Sequence, residues 1–581
     1  MHDLPTEKSA CIGGNDMYET INNLPQPQQI EVLAKELVQI PSVNSSAHGE
    51  VDICRRVAEI LSSFPYFQEH PDLVWETPLL NDPLQRSNVF AFLPKADSKK
   101  IVLLHAHIDT VGIEDFGKQK ADAFSPERLL RFFENYEADA DVQSDALSGE
   151  WAFGRGMLDM KSGMAVHLAN LLHYSLNSQE LPFNLLLMGN PVEENDHTGV
   201  IAALPELLAF KRKGYEFIVA VNTDFVSPLF EGDDTRYLYT GAAGKILPCF
   251  YIKGRETHVG STLQGIDPTL LSSAINLAIN TNPDLCELID DEEVLPSSAL
   301  QQRDCKDFYN VQTAKVAHLY FNTFLYERSV TDVLSILRGA AEEAVRKVTE
   351  KLDARLAEYR ARVGVPIGTI DHEVSVLLFE DYLRECSQKG VDTAAIIAGN
   401  LEKYGQEDKR AFGFRLVDAL EHATGDDAAK VILFLAPPFC PHNGIEPDSP
   451  VDHAISAAME KIGAEHGQTF KKRRFFPFLS DSSYLSMSET KEEILTLIQN
   501  FPGMESIYPL PTDDIQELSI PAVNLGVYGK GAHTWKERVY KPYSYEVLPR
   551  LIREVIAHLS RGQENLEVSS DRRLSGSLGK P

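Results

Sequence analysis

Short apolar runs alternate with amphipathic segments in the first part of the chain. Residues 28–38 and 51–61 repeat apolar side chains at three- and four-residue steps, which is typical of helices with one buried face. The runs at 101–104, 185–188 and 217–221 are short and continuously apolar, which is typical of strands buried on both faces. Because such strands alternate with helices, we predict an α/β fold with a mostly parallel sheet.

A histidine and an aspartate follow the first of these apolar runs. His107 and Asp109 are two residues apart, so both side chains point to the same side of an extended segment. Asp109 is therefore placed to orient the His107 ring, as carboxylates do for metal-bound histidines. Taken alone, the motif favours a hydrogen-bonded histidine at the end of a half-buried strand.

Asp159 lies in a glycine-rich segment, residues 154–163, directly before an apolar helical pattern at 164–172. Glycines let the backbone approach closely, and a carboxylate on such a turn can face two cations at once. An ordinary glycine-rich turn is the alternative interpretation.

Three more acids follow strand patterns. Glu193 and Glu194 come after the run at 185–188, and Asp224 comes after the run at 217–221. Neighbouring side chains in an extended segment point in opposite directions, so one glutamate can bind a metal while the other handles protons. Asp224 stands at a strand's carboxyl end, where open α/β sheets bind their ligands. A solvated acidic turn is the alternative for the glutamate pair.

His533 closes this order of imidazoles and carboxylates, after a strand pattern at residues 523–528. Imidazoles suit transition-metal ions, and several carboxylates can bridge two ions. The set predicts two divalent metal ions, with zinc favoured and manganese or cobalt as alternatives.

These ordered motifs resemble those of the M20 family of dinuclear metallopeptidases and amidohydrolases, in particular its long arginine-utilisation branch. The likeness covers residues 28–260 and 440–560 and is weak between them. It implies a role for each member of the site: His107 and Asp224 hold one ion, Glu194 and His533 hold the other, Asp159 bridges the two, and Glu193 is the general base.

The activity that the resemblance implies is hydrolysis of an amide or peptide bond in a small amino-acid-derived substrate, linked to arginine catabolism. A water held between the two ions would lose its proton to Glu193 and attack a polarised carbonyl. The alternative is a non-catalytic metal-binding scaffold or regulator that retains the pocket. The intact Glu193 favours the enzyme.

The resemblance also implies a catalytic domain interrupted by an α+β lid or dimerisation domain. Residues 1–240 and 441–581 would form the catalytic domain, with a polar tail that frays after residue 561, and residues 241–440 would form the lid. Extra helices enlarge this lid; two are predicted at 372–386 and 408–422. Another carries a coiled-coil-like seam of apolar residues: Leu337, Ala341, Val345, Val348, Leu352, Leu356 and Tyr359. Three roles are expected for the extra helices as alternatives: they enlarge the dimer contact, they cover the active site, or they only extend the packing of the lid.

Other matching positions bear on substrate binding. The resemblance makes His258 an oxyanion stabiliser, often supplied to the partner subunit's site, whereas a helix-capping histidine is the alternative. Asp481 and Ser482 match the family's substrate loop and are expected near the substrate. Many M20 lids also hold the substrate carboxylate with an arginine on a central strand, but residues 319–328 place none at that strand position, which argues against an ordinary dipeptidase.

Two residues beside these motifs match no family ligand or have an open role. Glu537 either accepts a hydrogen bond from His533 or caps a helix that follows it. His105, two residues before His107, is expected to support the ligands or the packing.

Composition fits such an enzyme. The chain has 581 residues, enough for two or more domains, and 43% of them are hydrophobic. A net charge of -30 argues against nucleic acid or anionic membrane as partners, because both bind basic surfaces. A small molecule or short peptide is the expected partner, together with a second copy of the chain in a homodimer.

Cysteine usage and the start of the chain indicate the compartment. Seven cysteines, from Cys11 to Cys440, include no C-x-x-C pair, which indicates a reducing environment. The first residues lack the basic and apolar parts of a signal peptide, and no apolar run approaches the ~20 residues that a membrane span requires. We therefore expect a cytoplasmic protein.

Overall fold

The computed structural model describes residues 17–44, 46, 48–364, 372–478 and 480–575, with side chains as far as residue 561. The start of the chain and Cys11, which entered the prediction of the compartment, lie outside the described residues. No helix in the described part is long and apolar enough to cross a membrane.

The strands within these residues are β1 (Val74–Pro78), β2 (Ser87–Leu93), β3 (Lys100–His107), β4 (Trp151–Phe153), β5 (Asn184–Asn190), β6 (Glu216–Asn222), β7 (Arg236–Tyr239), β8 (Gly241–Ala242), β9 (Gly244–Lys253), β10 (Leu288–Ile289), β11 (Glu292–Glu293), β12 (Ser298–Asp304), β13 (Val316–Leu325), β14 (Val374–Leu378), β15 (Ala429–Cys440), β16 (Asn443–Gly444), β17 (Phe470–Arg473), β18 (Ala522–Asn524), β19 (Gly529–Lys530) and β20 (Arg538–Tyr540).

The α-helices within the same residues are α1 (Met17–Ile21), α2 (Gln26–Val38), α3 (Gly49–Ser63), α4 (Pro65–Glu69), α5 (Pro126–Glu134), α6 (Ala140–Ser148), α7 (Ser162–Leu176), α8 (Thr198–Arg212), α9 (Pro268–Ile279), α10 (Val330–Val363), α11 (Phe379–Gln388), α12 (Thr393–Tyr404), α13 (Lys409–Thr424), α14 (Pro450–His466), α15 (Lys491–Gln499), α16 (Met504–Ile507), α17 (Thr512–Leu518) and α18 (Leu548–Ser575).

The larger sheet has eight strands in the order β1-β2-β5-β3-β6-β18-β7-β17. Its centre, β5-β3-β6-β18, is parallel, whereas β1 and β2 pair antiparallel at one edge. Along β3, Val102 and Leu104 enter one hydrophobic cluster, while Ile101 and Leu103 enter another. Both faces of the sheet are therefore buried, which explains the continuous apolar runs, and the predicted α/β fold with a mostly parallel sheet is confirmed.

The second sheet has five strands in the order β12-β13-β9-β15-β14, all drawn from residues 244–440. It shares a hydrophobic cluster with one face of the larger sheet, since Leu103 and Leu186 belong to the same cluster as Phe250 and Ile432. These strands lie inside the predicted lid. The domain boundaries at residues 240 and 440 stay a prediction.

The extra segments of this region differ from the prediction in one place. Val374–Leu378, in the first half of the helix predicted at 372–386, forms β14 and pairs in parallel with β15. Its valines and leucines fit a sheet edge that only the folded chain supplies. The helix predicted at 408–422 is confirmed as α13.

The apolar seam lies on α10, where Leu337, Ala341 and Val345 are buried. Tyr359 is 47% exposed, so the buried stripe stops before it. Helix α10 packs against α9 within the same region. Helix α18 continues to Ser575, so residues 562–575 of the tail predicted to fray are helical.

Candidate metal centre

The predicted ligands meet at one edge of the larger sheet. Strands β3, β5 and β6 run in parallel, and His107 at the end of β3 lies opposite Asn190 at the end of β5. The segments that leave β5 and β6 at this edge carry Glu193, Glu194 and Asp224. Parallel strands end at the same side of a sheet, so these side chains converge although they are far apart in sequence.

Asp159 lies between two imidazoles. Its Oδ1 is 3.0 Å from Nε2 of His107, and its Oδ2 is 3.0 Å from Nε2 of His533. Oε1 of Glu194 is 3.1 Å from the same His533 nitrogen. Asp224 forms a group with His107 and Asp159 in which the possible ligand atoms lie within 4.8 Å of one another. The structure thus brings the five predicted ligands together, and their binding of metal stays a prediction.

A buried ion pair holds the turn that carries Asp159. Oε1 of Glu537 accepts hydrogen bonds from the backbone N–H groups of Leu158 and Asp159, at 3.0 and 3.2 Å. Oε2 of Glu537 accepts from Nη1 of Arg155 at 2.7 Å, and both side chains are 1% exposed. Neither predicted role of Glu537 is therefore right: a strand follows it rather than a helix, and it supports the Asp159 turn.

We expect the substitution Arg155→Met to destabilise the protein by about 3 kcal/mol, because it leaves the Glu537 carboxylate buried without its cation. Burial already raises the pKa of Glu537 to about 7, although Arg155 opposes this shift. Arg128→Met is the matched control, since Arg128 pairs with Asp122 on the surface and should contribute less than about 1 kcal/mol. Thermal unfolding measures the stability of both variants. Equal unfolding midpoints for Arg155→Met and Arg128→Met would contradict the role given to the buried ion pair.

Asp109 connects His107 to the glutamate pair. Its Oδ1 lies 3.4 Å from Nδ1 of His107. Its carboxylate also accepts hydrogen bonds from the backbone N–H groups of Glu193 and Glu194, at 3.0 to 3.1 Å. The first contact fits the predicted orienting role. The second, which the sequence did not indicate, holds the loop that presents both glutamates.

Glu193 lies beside a histidine that the sequence analysis missed. Nδ1 of His197 is 3.8 Å from Oε1 of Glu193 and 3.0 Å from Oδ1 of Asp481. Asn190 donates a further hydrogen bond to Asp481. All of these side chains are buried. The one sequence signal for His197 is its position four residues after Glu193.

The predicted substrate loop is anchored to β3. Oγ of Ser482 lies 3.1 Å from Nε2 of His105, and both residues are buried. Burial lowers the pKa of His105 to about 3, so its ring is neutral. His105 therefore supports the loop, in line with the supporting role expected for it. Contact of Asp481 and Ser482 with substrate stays a prediction.

Buried carboxylates crowd this site. Burial raises the pKa of Glu193, Glu194 and Asp224, and repulsion from neighbouring carboxylates adds to the increase. Burial also opposes ionisation of Asp159, but hydrogen bonds from two imidazoles lower its pKa. Divalent cations among these groups would relieve the repulsion. A donor set of imidazoles and carboxylates with a shared aspartate fits two ions of the zinc or manganese type.

Metal loading should release protons. Burial would lower the pKa of His533, but hydrogen bonds to Asp159 and Glu194 raise it to about 11. The pKa of His107 is likewise raised by Asp109 and Asp159 against the effect of burial. Both imidazoles are thus protonated near neutral pH in the metal-free protein, whereas a metal ligand must be neutral.

We therefore expect about one proton or more to leave per bound ion at pH 7, and the affinity for metal to fall as the pH is lowered. Isothermal titration calorimetry of the metal-free protein in buffers with different ionisation enthalpies measures the release. A heat of binding that is the same in every buffer would contradict it.

The lid reaches the loop of the metal centre through α13. Nζ of Lys409, at the start of α13, lies 2.9 Å from Oδ2 of Asp196, which follows the glutamate pair. This extra helix therefore contacts the loop that follows the glutamate pair, whereas α10 packs against α9 and β14 and also against α15, which lies outside the predicted lid. The contact of α13 fits the interpretation that the extra helices cover the active site, and the role of the added helices stays a prediction.

His258 lies apart from these ligand groups. It is exposed after β9 and caps the short 3₁₀ helix Val259–Gln264, with its Nδ1 accepting a hydrogen bond from the N–H of Gly260 at 3.1 Å. The capping alternative therefore describes its contacts in this chain. Its predicted role toward a substrate oxygen stays a prediction.

A shared aspartate between two histidine–carboxylate groups, at the carboxyl edge of a mostly parallel sheet, is the arrangement expected of a hydrolase that holds two metal ions. Two solved structures have a similar fold: the M20 family metallo-carboxypeptidase Sso-CP2 from Sulfolobus solfataricus and the di-peptidase Dug1p from Saccharomyces cerevisiae. Both have a TM-score of 0.51 at 11% identity, with 91% and 94% of this chain and 99% of each structure covered. At this identity they show the fold alone.

Sequence relatives identify the branch. Protein RocB of Bacillus subtilis (strain 168) is 46% identical over 548 residues, which cover 93% of this chain and 97% of the relative. The uncharacterised protein YqjN of the same organism is 34% identical over 542 residues, 92% of this chain and 97% of that protein. No protein-family model matches the chain. The chain belongs to the family of Protein RocB, and its fold is similar to that of the M20 metallo-carboxypeptidase.

Proposed function

We propose that the protein is a metal-dependent hydrolase that cleaves an amide or peptide bond of a small amino-acid-derived substrate or short peptide. The observation that carries this proposal is Glu193, a buried carboxylate beside the metal centre that is separate from the shared Asp159. A metal site that only stabilises a fold has no need of an additional base.

The residues divide the chemistry among them. Two divalent ions, which we propose to be zinc held by the five predicted ligands, would polarise the scissile carbonyl and acidify the attacking water. Glu193 accepts the proton of that water and returns it to the leaving nitrogen. Burial raises the pKa of Glu193, which brings this carboxyl closer to the neutral range in which proton exchange is efficient. Asp109 holds the backbone of Glu193 and so orients it.

We also propose a homodimer in which His258 acts at the partner's metal centre. Because Nδ1 accepts a hydrogen bond from Gly260, the neutral ring carries its proton on Nε2. That N–H can donate to the carbonyl oxygen as negative charge develops on it. Its exposed position fits a group that is supplied to another subunit. Light scattering of the metal-loaded protein is expected to give a dimer, and a monomer at micromolar concentration would contradict this supply.

The substrate class follows from the branch. Likeness to the arginine-utilisation branch supports a substrate linked to arginine catabolism. A separate observation, the lack of a C-x-x-C pair among the seven cysteines of the sequence, supports a cytoplasmic location. Fold analogy alone does not define a substrate, so a panel of compounds is required.

The test is hydrolysis of N-acyl amino acids and arginyl dipeptides by protein loaded with zinc, manganese or cobalt. We expect release of free amine from at least one of them, with loss of the activity on chelation and its return on reloading. Metal content is measured in the same samples. No turnover of any compound by a protein that holds two ions would favour the non-catalytic scaffold instead.

A further inference from the structure

A cavity of about 820 Å³ lies beside the small sheet that β19, β20 and β4 form. Its walls include residues of these three strands, the start of β7 and the loop at residues 228–234. Among the described residues, the predicted metal ligands and Glu193 are absent from this lining. The volume is within the range of small-molecule sites, so the cavity is a candidate for a second binding site.

Arg236, the first residue of β7, contributes a cation to this cavity and is only 8% exposed. Its guanidinium carbon lies 3.8 Å from the centre of the Tyr528 ring, and its Nη1 donates a hydrogen bond to the backbone oxygen of Asp234 at 2.8 Å. Its Nε is buried without a hydrogen-bond partner in the part of the chain that the structure describes. These contacts are with uncharged groups, and no carboxylate of the described residues forms an ion pair with Arg236. Such surroundings favour an anionic ligand, because a carboxylate matches the planar donors of a guanidinium.

Two carboxylates at the rim of the cavity are available to cations. Glu231 and Asp234 are exposed side chains of the lining, and neither forms an ion pair among the described residues. The other acids of the lining are engaged: Asp139 pairs with Lys536, Asp141 pairs with Lys530 and Arg538, and Asp233 accepts hydrogen bonds from Leu229, Thr235 and Tyr237. The groups left to a ligand are therefore one guanidinium and two carboxylates.

These opposite charges lie close to one aromatic side chain. Burial raises the pKa of Tyr528, the charge of Arg236 opposes this increase, and the charges of Asp233 and Asp234 add to it. The guanidinium and the acidic loop are thus near enough for one small molecule to reach both. The rings of Trp151 and Tyr540, with centroids 5.1 Å apart, line the same cavity and offer an apolar surface to the aliphatic part of a ligand.

We propose that this cavity binds an α-amino acid with a cationic side chain. The α-carboxylate pairs with Arg236, and the two cationic groups of the ligand pair with the rim carboxylates of Glu231 and Asp234. An uncharged amino acid leaves one rim carboxylate without a partner, and an acidic one is repelled by both. The cavity is separate from the metal ligands, so this inference does not depend on the proposed hydrolase function.

The walls of the cavity continue into segments that carry predicted metal ligands. The loop at the rim follows Asp224, and β19 ends three residues before His533. Strand β4 leads into the glycine-rich segment of Asp159. An amino acid that holds these segments together therefore also holds the predicted ligands, and such coupling is reciprocal. Metal and amino acid should each strengthen the binding of the other.

Calorimetric titration of the metal-loaded full chain tests the site. The compounds are L-lysine and L-arginine, with two truncated forms of lysine: L-norleucine lacks the side-chain ammonium, and cadaverine lacks the carboxylate. We expect saturable binding of at least one of the two basic amino acids. Binding of each truncated compound should be weaker by about 10-fold or more, because each loses a charged hydrogen bond.

Variants locate the bound compound. Arg236→Lys keeps the charge but loses the planar donors, and it should weaken binding about 10-fold or more. Glu231→Gln and Asp234→Asn change exposed rim side chains without risk to the fold, and each should weaken binding about 2- to 5-fold. Asp448→Asn, at a side chain that is 93% exposed, is the control for loss of a surface charge and should bind like wild type. No binding of either basic amino acid, equal binding of L-norleucine, or equal affinity of wild type and all cavity variants overturns the site.

The affinity for zinc, measured with and without a saturating concentration of the basic amino acid that binds more tightly, tests the coupling. We expect the amino acid to make zinc bind about 5-fold tighter or more in wild type, relative to its effect on Arg236→Lys. This comparison corrects for direct chelation of zinc by the amino acid, since chelation acts equally on both proteins. The same response of both proteins would contradict the coupling, whatever the hydrolysis assays show.

Discussion

Replacement of Glu193 by glutamine is expected to leave two metal ions bound and to lower kcat by about 10²- to 10⁴-fold. Glutamine keeps the shape of the side chain but cannot accept the proton of the attacking water. The hydrogen bonds that hold this loop run from the backbone N–H of Glu193 to Asp109, so the substitution leaves them in place. Steady-state kinetics with the best substrate and elemental analysis of bound metal measure the two effects.

The adjacent residue provides the control. Glu194→Gln makes the same chemical change one position along, but Glu194 lies 3.1 Å from His533 and is a proposed ligand. We expect this variant to lose metal as well as turnover. Wild-type rates in metal-replete Glu193→Gln would refute the assignment of the base, and loss of metal from Glu193→Gln would place Glu193 among the ligands.

The substitution Asp159→Ala is expected to remove both metal ions and to abolish turnover. Each Asp159 oxygen faces a different imidazole, at 3.0 Å in both cases, so one substitution removes a donor from both ion positions. The bridging carboxylate would also offset the repulsion between the two positive ions. Its loss therefore weakens metal binding at both positions.

Metal stoichiometry distinguishes a shared ligand from an ordinary one. Asp224 groups with His107 and Asp159 but not with His533, so Asp224→Ala should weaken one ion more than the other. Asp159→Asn, which keeps the shape of the side chain, guards against a misfolded alanine variant, and circular dichroism checks both. Two ions retained by Asp159→Ala with normal affinity would contradict the bridge.

Most of the candidate metal centre could be predicted because the proposed ligands follow local patterns. His107, Glu193, Glu194 and Asp224 come within a few residues of the ends of apolar runs, and parallel strands must end at the same edge of their sheet. Asp159 could be predicted from the glycine-rich segment in which it lies. Local pattern and sheet geometry together were sufficient to bring these residues to one place.

Residues whose roles depend on distant partners were missed or misjudged. Glu537 supports the Asp159 turn through backbone groups almost four hundred positions earlier in the chain, as the separation of 379 residues from Leu158 shows. His197 acquires its partner from the loop of Asp481, 284 residues away. Neither contact leaves a periodic signal, because nothing local distinguishes these side chains from ordinary polar residues.

The fold shows the same difference between features that local patterns predict and features that depend on distant residues. Apolar periodicity along the chain was enough to predict the alternating helices and strands, because these periods reflect side chains that are close in sequence, and the alternation in turn implied a parallel sheet. The strand at Val374–Leu378 and the contact of α13 with the loop after the glutamate pair arise when separate segments pack together. Such features depend on long-range pairing, which a linear pattern does not encode.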